Sequence, residues 1–146
     1  MSKHLEYSAL FEPAKGGGLV ITIPDFGWGI SQADTEEEAD EMAIALLQTL
    51  VQEHMRNGEA LPHPRQPRGR KFRLIRLPAL QAAKAELYRQ FRAAAISKAK
   101  LARRLAVPKT SVERLFDLRH HSRFDQIEAA FKALGKEISI EVRDAA

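Results

Sequence analysis

Apolar and polar residues alternate from the start of the chain. Over 4–12, HLEYSALFE, the residues Leu5, Tyr7, Ala9 and Phe11 share one side, the period of two of a half-buried strand. A β-branched run, LVITI at 19–23, follows the Gly16-Gly17-Gly18 turn, so the two stretches predict a β-hairpin. A short third strand is expected around 29–33. The period then changes. Thr35 precedes Glu38 at capping-box spacing, and the acidic run Glu36-Glu37-Glu38 complements the positive end of a helix dipole. Ala39, Met42, Ala43, Leu46, Leu47, Leu50 and Val51 then recur at spacings of three and four, a stripe that needs a cover, and the hairpin sheet supplies one. Asn57-Gly58 ends this helix.

Residues 59–70, EALPHPRQPRGR, hold three prolines and no periodicity, the composition of an extended, semi-rigid connector. We therefore divide the chain into a front unit, 1–61, a Pro/Arg-rich linker, 62–77, and a back unit, 78–146. Within the linker, FRLIRLP alternates without a clean apolar face and is a candidate extra strand. From Pro78 the reading is helical, with Leu80, Ala83, Leu87, Phe91 and Ala94 on one face. Ser97 is the N-cap of the next helix, Pro108, Thr110 or Ser111 opens another, and Ser122 with Asp125 repeats the capping arrangement for a last one closed by Gly135. The final EISIEV alternates Ile138, Ile140 and Val142 in strand fashion. With no partner in its own unit, it is expected to pair with the same strand of another copy or with the first sheet.

Charge divides the chain more sharply than its net +4 suggests. Residues 1–61 hold 3 Lys and Arg against 11 Asp and Glu, a net −8, while residues 62–146 hold 20 against 8, a net +12. Between Arg65 and Arg123 only Glu86, Glu113 and Asp117 are acidic, so that stretch attracts polyanions, whereas the front repels nucleic acid and suits a basic partner. The bland alternative is two solvated surfaces that serve solubility. The chain has no cysteine, hence no disulfide framework, thiolate metal site or cysteine nucleophile. No signal-peptide core and no apolar run long enough to span a bilayer occur, so a cytoplasmic protein is expected.

The stretch LARRLAVPKTSVERL, 101–115, unites these threads. Leu101, Leu105, Val107, Val112 and Leu115 are the apolar contacts of two short helices meeting across a tight turn, with the small Ala102 where they approach. Lys109, Thr110, Ser111 and Arg114 then project outward, donors and acceptors suited to base edges and phosphates. Lys98, Lys100, Arg103 and Arg104 flank them on the first helix, and Arg119 and His120 follow as further backbone contacts. This arrangement resembles the helix-turn-helix of the lambda-repressor and Cro class. That family usually has glycine in the turn where this chain has Ala106; if the position is left-handed, alanine costs on the order of 1 kcal/mol there. A plain structural hairpin with a basic surface is the competing reading.

Taken together, YSALFEPAKGGGLVITIPDF, SQADTEEEAD, PALQAAKAELYRQFR, SKAKLARRLAVPKTSVERLFDLRHHSRFDQIEAAFKALGK and the EISIEV tail resemble the HicB-type antitoxins of bacterial type II toxin–antitoxin modules. The resemblance implies an α+β chain: a partial RNase H-like domain of a three-stranded antiparallel sheet and a helix, then an all-helical helix-turn-helix domain with a C-terminal strand. It implies that the front masks a small, basic, mRNA-cleaving HicA-type toxin, and that the back dimerises, or assembles further into a tetramer, to repress its own operon. The family usually has Pro-Gly-Cys-like residues after the proline-aspartate pair, whereas this chain has Phe26-Gly27-Trp28-Gly29. Asp25, Phe26, Trp28 and Asp34 are the candidate toxin contacts; core packing of Trp28 and turn capping by the aspartates are the alternatives.

Catalysis is not expected. Among the carboxylates outside the helix, Asp25, Asp34 and Glu12 have no spacing that forces them around a divalent metal. His120-His121 are adjacent rather than at a ligand spacing, His4, His54 and His63 are scattered, and no nucleophile elbow occurs. No cofactor or metal is anticipated. A standalone helix-turn-helix regulator whose front senses a ligand or partner is the alternative to the antitoxin.

Overall fold

A computed structural model describes residues 4–145 as an α+β fold. The anticipated hairpin is β1, Glu6–Pro13, paired antiparallel with β2, Leu19–Thr22, and β3, Ser31–Ala33, adds to the outside of β2. A single 3-10 turn, Pro24–Phe26, separates β2 from β3. Helix α1, Glu36–Arg56, buries Ala39, Ala43, Leu46, Leu47, Leu50, Val51 and Met55 on the sheet. Thr35 caps it: its hydroxyl accepts the Glu38 amide at 3.3 Å, while the Glu38 carboxylate reaches back to the Asp34 amide at 3.4 Å, one residue before the capping-box position.

The sheet has four strands, not three. Residues Phe72–Arg76 form β4 on the free edge of β1, antiparallel, giving the order β3-β2-β1-β4. Its mixed pattern has a physical cause. Ile75 lies opposite Tyr7 and is buried, but Arg73, opposite Ala9, also faces the helix side. There the guanidinium donates to Glu36 at 2.5 Å and Asp40 at 3.0 Å in α1 and lies 4.3 Å over the Phe11 ring. An arginine in the inward register thus bridges sheet rim and acidic helix start, which an apolar count cannot anticipate.

The proline-rich stretch is held along its length. The Tyr7 hydroxyl donates to the Pro62 carbonyl at 2.7 Å, the Arg65 amide to Asp25 at 3.0 Å, and the Gln66 side chain to the Glu6 carbonyl at 3.1 Å, while Pro64 is buried. Burial pushes the Tyr7 phenol pKa up strongly.

Beyond it come α2, Ala79–Ala94, α3, Lys98–Leu105, α4, Lys109–Leu115, and α5, Phe124–Ala133. Leu87, Leu101, Val112, Leu115, Ile127, Ala130 and Phe131 form their core, continuous with that of the sheet. Gln52 of α1 donates to the Phe116 carbonyl at 3.2 Å and accepts the Leu118 amide at 2.7 Å, Gln48 donates to Gln81 at 2.8 Å, and Tyr88 donates to the Glu59 carbonyl at 2.7 Å. Ser97 caps α3 as anticipated, its hydroxyl accepting the Lys100 amide at 3.0 Å, and Pro108 is the residue that opens α4.

Two anticipated features are corrected. Arg123, not Ser122, is the N-cap of α5; Ser122 is buried with its hydroxyl 3.1 Å from His120 Nδ1, and Asp125 pairs with Arg123 instead. The segment 138–142 forms no strand in this chain: Ile138 packs against the hydrophobic core, whereas Ile140 and Val142 are 74% and 91% exposed.

Candidate functional site

The turn between α3 and α4 comprises Ala106, Val107 and Pro108, and Ala106 adopts the left-handed conformation, φ 54°, ψ 44°. Its amide donates to the carbonyls of Ala102 and Arg103, closing α3 as glycine usually does. Leu101, Ala102, Val112 and Leu115 are buried between the helices, while Val107 remains partly exposed on the turn. Lys109, Thr110 and Arg114 are exposed, and Ser111 and Lys98 are half-buried. Among the described residues, no carboxylate forms an ion pair with Lys98, Lys100, Arg103, Lys109, Arg114 or Arg119, so their charge is available to an outside anion. Arg104 is committed elsewhere, donating to the Ala133 carbonyl at the end of α5 at 3.0 Å.

A lysine that sequence reading passed over organises this surface. Lys84 of α2 is fully buried, and its ammonium donates to the carbonyls of Arg114 at 2.9 Å, Asp117 at 2.7 Å and His120 at 2.6 Å. The end of α4 and the loop carrying Arg119 and His120 are therefore tied to one point. Burial lowers the Lys84 pKa to about 8, with the Asp117 carboxylate opposing the shift. The available signal was positional: Lys84 lies four residues after Leu80 and three before Leu87, inside the apolar stripe of α2.

On the front half, Gly27 and Gly29 both take positive φ around Trp28. Gly29 has a second constraint, since a β-carbon there would stand 2.6 Å from a Leu50 methyl, and the loop therefore lies directly on α1. Trp28 is 47% exposed, stacked on His54 at 6.2 Å between centroids, its indole N–H donating to His54 Nε2 at 3.3 Å. His54 Nδ1 lies 3.3 Å from the Ala60 carbonyl, so this network assigns the proton to Nδ1. Phe26 turns the other way. It is buried against Tyr7 and His54, at 4.9 and 5.2 Å, and supports the loop from beneath, which corrects its reading as a surface contact. Asp25 is half-buried on the Arg65 amide, and Asp34 is exposed beside the acidic start of α1. Ile30, 66% exposed, extends the Trp28 patch.

A family model for the HicB-like antitoxin of bacterial toxin–antitoxin systems matches residues 6–86. The chain belongs to the HicB-like antitoxin family. The matched span covers the sheet, α1, the proline-rich stretch and the first half of α2. Relatives extend the likeness through the helical half. The chain is 31% identical over 140 residues to Antitoxin HicB 1 of Photorhabdus laumondii, covering 96% of this chain and 88% of that protein. It is 33% identical over 136 residues to Antitoxin HicB of Escherichia coli K12, covering 93% and 98%. Antitoxin HicB of Pseudomonas fluorescens shares 37% identity over 112 residues, 77% of each chain. Within this HicB-like chain, no helix among the described residues is long and apolar enough to cross a membrane.

Proposed function

We propose that this chain neutralises a basic, mRNA-cleaving HicA-type toxin with its front half and represses its own operon with its back half, acting in the cytoplasm as a dimer. The observation that carries the reading is the opposition of two surfaces on one body. The acidic front presents an exposed Trp28, and the α3–α4 pair presents cations that pair with no carboxylate among the described residues.

A toxin that binds RNA needs a positive surface. Asp34, Glu37 and the neighbouring α1 carboxylates give the front half the negative field that attracts such a protein, and Trp28, at the other end of α1, supplies aromatic contact area. On the other half, α3 and α4 act as a helix-turn-helix. Lys109, Thr110, Ser111 and Arg114 meet base edges and phosphates, and Lys98, Arg119 and His120 meet the backbone. Two such units on a palindromic operator contact half-sites about one helical turn, roughly 34 Å, apart.

Co-expression with the gene adjacent to this one, scored for co-purification and for rescue of growth, tests the first half of the proposal. Arg114→Ala or Lys109→Ala tests the second: operator affinity falls and growth rescue is retained. Loss of both activities together overturns the division of labour.

A further inference from the structure

Helix α1 packs on one face of the sheet. On the other face the strand registers set Ser8 beside Leu74, and Leu10 between Phe72 and Thr22. The proline-rich stretch crosses the β4 side of this face, where Gln66 and Arg68 join Ser8, Phe72 and Leu74 around a cavity of about 320 Å³, within the range of small-ligand clefts, ~300–1,000 Å³. Ser8 is only 4% exposed and lines this cavity, yet its hydroxyl forms no hydrogen bond with a described residue. A buried polar group in that position is stabilised by whatever supplies a partner. Gln66 beside it takes the left-handed conformation, φ 53°, and its Nε2 donates to the Glu6 carbonyl at 3.1 Å, so its Oε1 is left as a second acceptor.

Around the cavity the charge has one sign. No Asp or Glu occurs between Glu59 and Glu86, and Arg65, Arg68, Arg70, Lys71 and Arg76 are exposed and pair with no carboxylate among the described residues. Arg73 is the member of this run that turns to Glu36 and Asp40 of α1. Of the β1 carboxylates on this face, Glu6 is held by Arg143 at 3.6 Å and Glu12 lies on the β2 side, opposite Val20. Strand β4 thus brings a cationic strip to the edge of an otherwise acidic front.

We propose that this face binds single-stranded RNA, with one base entering the cavity against the Phe72 ring and the adjoining phosphates lying on Arg68, Arg70, Lys71 and Arg76. The combination selects the occupant. Cations alone suit any polyanion, but an aromatic ring beside two open acceptors suits a strand whose bases are unstacked, and a duplex keeps its bases stacked. The acceptors on Ser8 and Gln66 take hydrogen bonds from a base-edge amino group or from a ribose 2′-hydroxyl, the donor that DNA lacks. Neither Trp28 nor the α3–α4 pair contributes to this face, so it stands apart from both surfaces of the proposed function.

Fluorescence anisotropy of a labelled, mixed-sequence single-stranded RNA of about 12 nucleotides, titrated with the full chain, tests the site. Lys109→Ala/Arg114→Ala serves as the background, which sets aside binding through α3–α4. In that background Arg68→Ala/Lys71→Ala weakens RNA binding by about tenfold and lowers the slope of log affinity against log salt by about 1.4, at roughly 0.7 for each single-strand phosphate contact. Phe72→Leu keeps an apolar side chain on the sheet but removes the ring, and weakens binding by at least about fivefold. Ser8→Ala, on an exposed-side position that tolerates a smaller residue, narrows the preference for RNA over DNA of the same sequence. Equal affinity for that DNA strand or for the RNA duplex overturns the proposal. So does affinity unchanged by both Arg68→Ala/Lys71→Ala and Phe72→Leu, or displacement of the RNA by a glutamate-rich peptide of equal charge, which assigns the face to an acidic protein instead. Because toxin neutralisation and operator binding are scored separately, failure here leaves the proposed function standing.

Discussion

The Nζ of Lys84 lies 2.6 Å from the carbonyl oxygen of His120, thirty-six residues along the chain, and the same ammonium holds the carbonyls of Arg114 and Asp117. One buried cation thereby closes α4 and shapes the loop behind it. Replacing it with Met removes one charge-assisted hydrogen bond from each of three carbonyls, which keep only the amides of Asp117, His120 and Ser122 as donors, and the expected loss is about 3 kcal/mol of stability, measured by urea unfolding. Operator affinity falls with it under conditions where the variant is still folded, because Arg114, Arg119 and His120 lose their common tether.

The same lysine gives a pH signature. Its pKa is about 8 in the folded chain against 10.5 for an ordinary lysine, so between those values the unfolded chain binds the additional proton. This group's contribution to stability therefore rises as pH climbs from 8 to 10.5 and is flat below 8. The stability difference between the parent chain and Lys84→Met widens over that window, and the Lys84 Cε resonance titrates near pH 8.

Ala106 occupies a left-handed position at φ 54°. Glycine removes the steric cost, so Ala106→Gly stabilises the chain by up to about 1 kcal/mol. An upward shift of the urea midpoint with unchanged slope is the expected result; a downward shift contradicts the strain argument.

Trp28 is the chain's single tryptophan and is half exposed, so its fluorescence reports on whatever covers it. Addition of the proposed toxin shifts its emission. Trp28→Ala weakens that complex by at least about tenfold, roughly 1.4 kcal/mol, while leaving urea stability nearly unchanged. A full loss of stability instead assigns the indole a structural role.

Salt dependence separates phosphate contacts from base contacts. In a dimer each substituted lysine or arginine is removed twice, so Lys98→Ala or Arg119→Ala lowers the slope of log affinity against log salt by roughly two. Non-specific duplex shows the same decrement, whereas a base-reading residue changes preference among sequences.

Elements whose period dominates were legible in the chain: the hairpin, α1 with its Thr35 cap, and the α3–α4 pair with its left-handed Ala106. Elements that depend on distant partners were not. Strand β4 is ambiguous alone because Arg73 occupies an inward position, made tolerable by Glu36 and Asp40 thirty-odd residues earlier. Ser122 has the spacing of a cap yet turns inward to His120, since the Lys84 knot sets the direction of the preceding loop. For the site, exposure of Lys109, Thr110 and Arg114 followed from helical spacing, but the inward turn of Phe26 and the His54 platform under Trp28 required the packing of α1 on the sheet.

The proline-rich stretch suggests a tether, and a tether would let two units wander over a distribution of separations. Fastened at Pro62, Arg65 and Gln66, with Gln52 reaching across to Phe116 and Leu118, it acts instead as a strut. Whatever the Trp28 loop grips is consequently carried at one fixed offset from α4. Any cooperation between the two surfaces is then a matter of steric fit against the duplex, to be tuned by shape and not by linker length.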